Sequence, residues 1–269
     1  MIYALLWIVG LSVLAAIAYA LTFHYSPFLK KLLLIAVWIV SSFSMILWLF
    51  FDLSFFNIIN ETWLISIRAL WGIEFSVIFL GIFCALLQRR TIKRKLPKDA
   101  FSRHNGLVLA LLLIIPSYIQ PIIFPYEENF VDQWKGGVCM QSNGYTCGPA
   151  TVATMLKHYG IDTTEEEVSK HVFLSQYGSA AWFLVRHLRK HGLKVRIVST
   201  ASRPVDPPVP CIACARLEDK KGINHVIMLF DKTDTTFLIG DPLGGRFEWT
   251  KEKTWENYYF TGSLLHVTQ

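Results

Sequence analysis

The sequence predicts a two-part fold, an α-helical transmembrane bundle of about four helices over residues 1–126 followed by an α+β domain over residues 127–269. Three observations carry that expectation. The 269 residues are 53% apolar and only 17% charged, too apolar a balance for one ordinary water-facing domain of this length. Ten of the 26 bases but only four acids (Asp52, Glu61, Glu74 and Asp99) precede residue 127, and the remainder holds sixteen of each sign. The net charge of +6 therefore lies wholly in the first half, which argues against the basic folded face that nucleic-acid binding requires. After about Phe124 the long apolar runs give way to mixed charge, turn residues and alternating polarity.

Four apolar runs mark the expected helices, at about 2–21, 32–51, 63–87 and 107–124, each near the roughly 20 residues a spanning helix needs. The first link carries Lys30 and Lys31, the second (Asp52 to Glu61) carries no base, and the third holds seven bases between Arg89 and Arg103. Basic links stay in the cytoplasm. The expectation is thus a multi-pass integral protein of a bacterial cell membrane, with the bilayer as partner and everything after the fourth helix outside. Ala18-Tyr19-Ala20 resembles a signal-peptidase site, but no base precedes the apolar stretch before it. Arg68 and Glu74, inside the third run, read as structural, with Arg68 near the outer end. Pro116 and Pro121 are placed to kink or end the fourth helix.

In the second half, Cys147 to His158 has helical spacing with Val152, Met155, Leu156 and Tyr159 on one face, and Gly160 is a good stop. Thr164-Glu165-Glu166-Glu167 is a capping box opening a second helix, and Ser179 to His191 forms a third ended by Gly192. Strands are expected at Lys194–Ser199, Cys211–Leu217, His225–Phe230, Thr236–Gly240 and Leu264–Val267. Helices followed by a mostly antiparallel sheet make an α+β domain.

The five cysteines (84, 139, 147, 211 and 214) are an odd number, so at least one thiol is left unpaired. Cys211-Ile-Ala-Cys214 has redox-motif spacing but falls on a strand, where residues three apart face opposite ways, so it reads as two small buried residues. Cys147 is different. It opens a helix, with Pro149 in the first turn, and the positive end of a helix dipole favours a thiolate. Thiol catalysis also needs a base, an orienting partner for it, and donors for an oxyanion. His225 follows a turn and opens the apolar strand Val226 to Phe230, and Asp241 ends the next strand. Antiparallel pairing through the turn Asp231 to Thr235 makes the two neighbours, so that the carboxylate sets the imidazole tautomer. Gln141, six residues before Cys147, supplies a side-chain amide which, with the Cys147 N–H, forms an oxyanion hole. The set implies no metal and no organic cofactor.

The segment Gln141-Ser142-Asn143-Gly144-Tyr145-Thr146-Cys147-Gly148-Pro149-Ala150, with its helix ending at His158-Tyr159-Gly160, resembles the active-site signature of the C39 peptidases, the bacteriocin-processing, papain-like cysteine peptidase family. Tyr177-Gly178-Ser179, Gly192-Leu193-Lys194, Asn224-His225-Val226 and Gly240-Asp241-Pro242 continue the likeness over roughly residues 133 to 260. The resemblance implies a papain-like fold, Cys147 as nucleophile, His225 as base, Asp241 as its orienting partner and Gln141 as oxyanion donor.

The best-known members are N-terminal cytosolic parts of ABC exporters that cut leader peptides after a double glycine. This domain is C-terminal, and no Walker-type phosphate loop occurs in the chain, so no ATP is expected to bind here. The expected activity is that of a membrane-anchored cysteine peptidase hydrolysing peptide bonds in a secreted or envelope polypeptide. Rival readings are an amidase or acyltransferase using the same acyl-thioester, and a non-catalytic peptide-binding module. An oxidising compartment would further allow a disulfide between Cys139 and Cys147.

Overall fold

The computed structural model describes residues 2–25, 31–55, 62–70, 76–93, 116–217 and 224–269, with side chains described over 9–25 of the first helix and 35–50 of the second. The chain divides into two compact units, Met1–Ile59 with Trp71–Ile123, and Asn60–Leu70 with Phe124–Gln269.

The first unit contains α1 (Ile2–Tyr25), α2 (Lys31–Phe55), α4 (Val77–Lys93) and α5 (Pro116–Ile123), with α3 (Thr62–Arg68) assigned to the other unit. α1 and α2 both pack on α4 and α5. The α1–α4 approach is close enough that a Cβ on Gly81 would run into the Ala15 carbonyl. α2 meets the start of α4 through polar groups: Ser44 Oγ donates to the Ser76 carbonyl (2.8 Å), and Trp48 Nε1 donates to Ser76 Oγ (3.0 Å).

Among the described residues, no helix is long and apolar enough to cross a membrane. This finding overturns the expected four-helix transmembrane bundle and the multi-pass localisation with an extracytoplasmic domain. It also removes the ground on which a bilayer partner was expected. An apolar run does not by itself separate a helix packed on other helices from one facing lipid. The third run is not one helix: α3 belongs with the second unit, and α4 ends in the polar stretch Gln88-Arg89-Arg90-Thr91-Ile92-Lys93. Of the fourth run, α5 with its internal Pro121 is what is described. Residues 107–115, the bases from Arg94 to Arg103, and Glu74 lie outside the described residues.

In the second unit α3 packs on β3 (Lys194–Ser199) and α8 (Ala181–Lys190). Its carbonyl end is capped by two arginines of α8: Arg186 Nη2 donates to the Arg68 and Leu70 carbonyls (2.5 and 3.2 Å) and Arg189 Nη1 to that of Ala69 (3.1 Å). Cationic groups are favoured at a helix C-terminus. Arg68 itself is buried with its guanidinium over the Trp182 ring at 5.1 Å, a role in this unit's core and not at a membrane surface.

The hairpin β1 (Trp134–Lys135) to β2 (Val138–Cys139) turns on Gly136 and Gly137, whose φ of 60° and 81° suit the two-residue hairpin turn. Then come α6 (Cys147–His158) and α7 (Glu165–His171) before α8. The remaining elements are β4 (Cys211–Leu217), β5 (Asn224–Lys232), β6 (Thr236–Asp241), β7 (Gly245–Thr250), α9 (Lys251–Asn257) and β8 (Tyr258–Thr268). With β3 they form one antiparallel six-stranded sheet in the order β3-β8-β4-β5-β6-β7. Ala213, Ala215, Ile227, Leu229, Phe237, Ile239, Phe260 and Leu264 share one buried cluster in that sheet. α6 packs against β5 and β2. β7 and α9 are elements the sequence pattern does not mark, and β8 extends well beyond the expected Leu264–Val267.

Candidate active site

Cys147 is the first residue of α6, buried to 8% exposure. The preceding Thr146 makes no side-chain cap to the helix; its hydroxyl accepts the Asn143 N–H (3.1 Å) and donates to the Asn143 carbonyl (3.0 Å). No cap side chain therefore covers the leading N–H groups of α6, which carry the partial positive charge of the helix start. The helix is pinned to the sheet one turn further on, where Thr151 Oγ1 donates to the Val226 carbonyl (3.0 Å), next to His225.

β5 and β6 pair with Met228 opposite Gly240, which sets His225 diagonally across from Asp241. A Cβ on Gly240 would come within 2.6 Å of the Phe230 ring, so only glycine lets the strand end lie this close. His225 Nε2 meets Asp241 Oδ1 at 2.8 Å, with both side chains buried. That bond occupies Nε2 and leaves Nδ1 free of Asp241, and the Cys147 sulfur is among the groups that act on the ring. Burial alone would lower the His225 pKa, but hydrogen bonds to Asp241 and Cys147 outweigh it and lift the group from its ordinary 6.5 to about 9. Burial works against ionised Asp241 too, yet His225, the Tyr258 hydroxyl and the Leu243 N–H (2.7 Å) hold it below the usual carboxylate range. The Tyr258 hydroxyl donates to Asp241 Oδ2, and its ring lies nearly parallel to that of His225 with centroids 6.4 Å apart. Burial and then the adjacent carboxylate push the phenol far up, so it stays a donor.

Gln141 stands on the loop between β2 and α6. Its backbone N–H donates to the Pro242 carbonyl (3.0 Å), which ties this loop to the residue after Asp241. Its side-chain Nε2 donates to the Asn143 carbonyl (2.7 Å), which uses one of its two hydrogens and fixes the amide. Gln141 Oε1 is buried with no hydrogen-bond partner among the described residues.

Burial raises Cys84 and Cys214 to about 11, and Cys139 and Cys211 to about 12. Cys139, the expected disulfide partner, has its sulfur on the backbone N–H of Glu165, and the Glu165 charge adds to the effect of burial there. Two residues at the site escaped sequence reasoning. Tyr258 had no signal at all, and Glu165 was absorbed into the capping-box reading of Thr164 to Glu167.

The domain is thus an α+β fold in which a buried imidazole and carboxylate meet beside the helix that Cys147 opens. Residues 135–269 match the model of the peptidase C39 family, and the chain belongs to that family. An uncharacterized protein of Methanothermobacter thermautotrophicus is 30% identical over 130 residues, covering 48% of this chain and 87% of its own. A protein of Methanothermobacter marburgensis is 27% identical over the same shares. Among solved structures, the peptidase domain of Streptococcus ComA, a bi-functional ABC transporter, superposes with a TM-score of 0.43 at 21% identity, over 50% of this chain and 98% of that one. A double glycine motif protease from an AMS/PCAT transporter, in complex with its leader peptide, gives 0.42 at 25% identity, over 48% and 89%. With both TM-scores below 0.5, the family assignment stands on the sequence match.

Proposed function

We propose that this chain is a cysteine peptidase that hydrolyses peptide bonds through an acyl-thioester on Cys147. The observation that carries the reading is the buried His225–Asp241 bond at 2.8 Å, beside the helix that Cys147 opens and Thr151 pins to the residue after His225. In this scheme His225 takes the thiol proton, and the thiolate attacks the scissile carbonyl carbon. The oxyanion so formed is received by the Cys147 N–H at the start of α6 and by the Gln141 amide. Collapse breaks the C–N bond, and the amine leaves with the proton held by His225. A water molecule then gives its proton to His225 and its oxygen to the acyl carbon, releasing acid and free thiol. Asp241 holds the ring and stabilises the imidazolium throughout. The chemistry uses these side chains with the Cys147 backbone N–H and calls for no cofactor.

The substrate is a polypeptide, and the expected secreted or envelope class falls with the outside location, since no described helix is long and apolar enough to cross a membrane. The test is to incubate full-length protein with a peptide library and read new termini by mass spectrometry. Wild type is expected to generate them and Cys147→Ala to generate none while keeping its circular dichroism spectrum. New termini undiminished in Cys147→Ala would overturn the assignment. Iodoacetamide should label Cys147 before the four cysteines whose thiols burial pushes to about 11 or 12.

A further inference from the structure

The run Glu165-Glu166-Glu167 opens α7, and its three carboxylates do three different things. Glu167 completes the capping box: its Oε2 accepts the Thr164 N–H (3.1 Å) while Thr164 Oγ1 accepts the Glu167 N–H (3.2 Å). Glu166 pairs with Lys170 one turn on, at the surface. Glu165 does neither. Its side chain is fully buried and turns away from its own helix, accepting the Ser142 N–H on both oxygens (2.9 and 3.2 Å) and the Ser142 hydroxyl on Oε2. The same hydroxyl oxygen receives the Val131 N–H (2.9 Å), so Ser142 is bound from two sides.

A buried carboxyl group is retained only where it is well hydrogen-bonded. The helix start does not require Glu165, because the capping box is complete without it. What Glu165 does hold is the peptide following Gln141. The peptide before Gln141 is held by the Pro242 carbonyl. Both peptides flanking Gln141 are thereby fixed, one to the loop after Asp241 and the other to α7. An irregular loop has no ladder to hold it, so these two anchors set the backbone from which the Gln141 amide, bonded to the Asn143 carbonyl, is presented.

We infer that Glu165 is a positioning residue for the reaction, a buried clamp which, through Ser142, holds the Gln141 amide where the oxyanion develops. The inference rests on the reading of Gln141 as an oxyanion donor given above. Glu165 touches neither the thiol nor the substrate, and acts only through the loop.

Two probes separate this role from general support of the fold. Acylation of Cys147 by p-nitrophenyl acetate passes through a tetrahedral oxyanion, whereas alkylation by iodoacetamide displaces iodide and forms none. In the full-length chain, Gln141→Ala should slow acylation about a hundredfold, the usual loss for one oxyanion donor. Glu165→Ala should slow it about tenfold, as a displaced but present donor would. Neither should change the alkylation rate at Cys147. The double variant Gln141→Ala/Glu165→Ala should be no slower than Gln141→Ala alone, because the clamp has nothing left to place. Ser142→Ala should reproduce the Glu165→Ala pattern in weaker form, and it carries the comparison if Glu165→Ala does not fold. The clamp is overturned if Glu165→Ala acylates normally, if it slows alkylation as much as acylation, or if its loss multiplies with that of Gln141→Ala. Normal acylation in Gln141→Ala would overturn the oxyanion role of Gln141 and the clamp together.

Discussion

His225 and Asp241 stand on neighbouring strands whose backbone ladder fixes their separation, whereas Gln141 stands on an irregular loop held by a carbonyl, a carboxylate and a hydroxyl. Cys147, on the helix start between them, is tied to the sheet through Thr151. The sheet side is built from repeating backbone hydrogen bonds, so a single side-chain change there removes a chemical group without moving its neighbours. The loop side is built from individual side-chain contacts, so a change there moves a group that remains present. Substitutions on the sheet side should therefore alter the pH dependence of the reaction, and those on the loop side should alter only its rate.

The largest effect belongs to His225. His225→Ala removes proton transfer to and from the reacting atoms, and peptide hydrolysis should fall about a thousandfold. The variant also tests a stability claim. The folded pKa of His225, about 9, lies above its ordinary 6.5, so its contribution is fully present below the ordinary value and is lost as pH rises through about 9. Urea unfolding should show wild type losing stability between about pH 6 and pH 10 relative to His225→Ala. A constant difference across that range would show that the ring gains nothing from protonation.

Asp241→Asn should cost less, roughly tenfold to a hundredfold in rate, since the amide can still orient the ring. Its sharper signature is the alkaline limb of the pH–rate profile. The limb reports the imidazolium needed to protonate the leaving amine, so it should lie near the His225 value of about 9 in wild type. Removing the carboxylate that raises this value should move the limb to lower pH. A limb that stays in place would make Asp241 structural.

Tyr258→Phe should have the smallest effect, a severalfold loss of rate with about 2 kcal/mol of stability, the usual scale for a buried hydrogen bond to a charged group. The Tyr258 hydroxyl is among the groups that hold Asp241 below the carboxylate range against the effect of burial. The stability that a depressed Asp241 contributes is present above its unfolded value of 3.8 and lost as pH falls through its folded value. Without the hydroxyl the folded value rises, so acid unfolding should begin at higher pH than in wild type. An unchanged acid midpoint would sever Tyr258 from Asp241.

The same contrast explains what could be read from the sequence. α6 follows from its apolar spacing and from Gly160, and the juxtaposition of His225 with Asp241 follows from two apolar strand segments and the turn between them. Regular elements repeat their signal, so it accumulates along the chain. The clamp at Glu165 and the hydroxyl of Tyr258 each join one residue to one other, across segments 23 and 17 residues apart, with no repeat to announce them. The membrane reading failed for a related reason. Apolar content over Trp63 to Leu87 reads locally as one continuous helix, whereas α3 ends at Arg68 with the carbonyls there capped by Arg186 and Arg189 of the same unit. Residues more than a hundred positions away decided where that run stops, and a local hydropathy window contains none of them.

The central claim is that Cys147 carries the acyl group in peptide hydrolysis. The most direct measurement is acid quenching of the full-length protein during turnover of a peptide it cleaves, followed by intact and peptide-level mass spectrometry. The acyl portion of the substrate is expected as a thioester on the fragment containing Cys147, labile to hydroxylamine and absent from Cys147→Ser. Product formation with no adduct on Cys147 under any quench time, or with the adduct on another residue, would contradict the account.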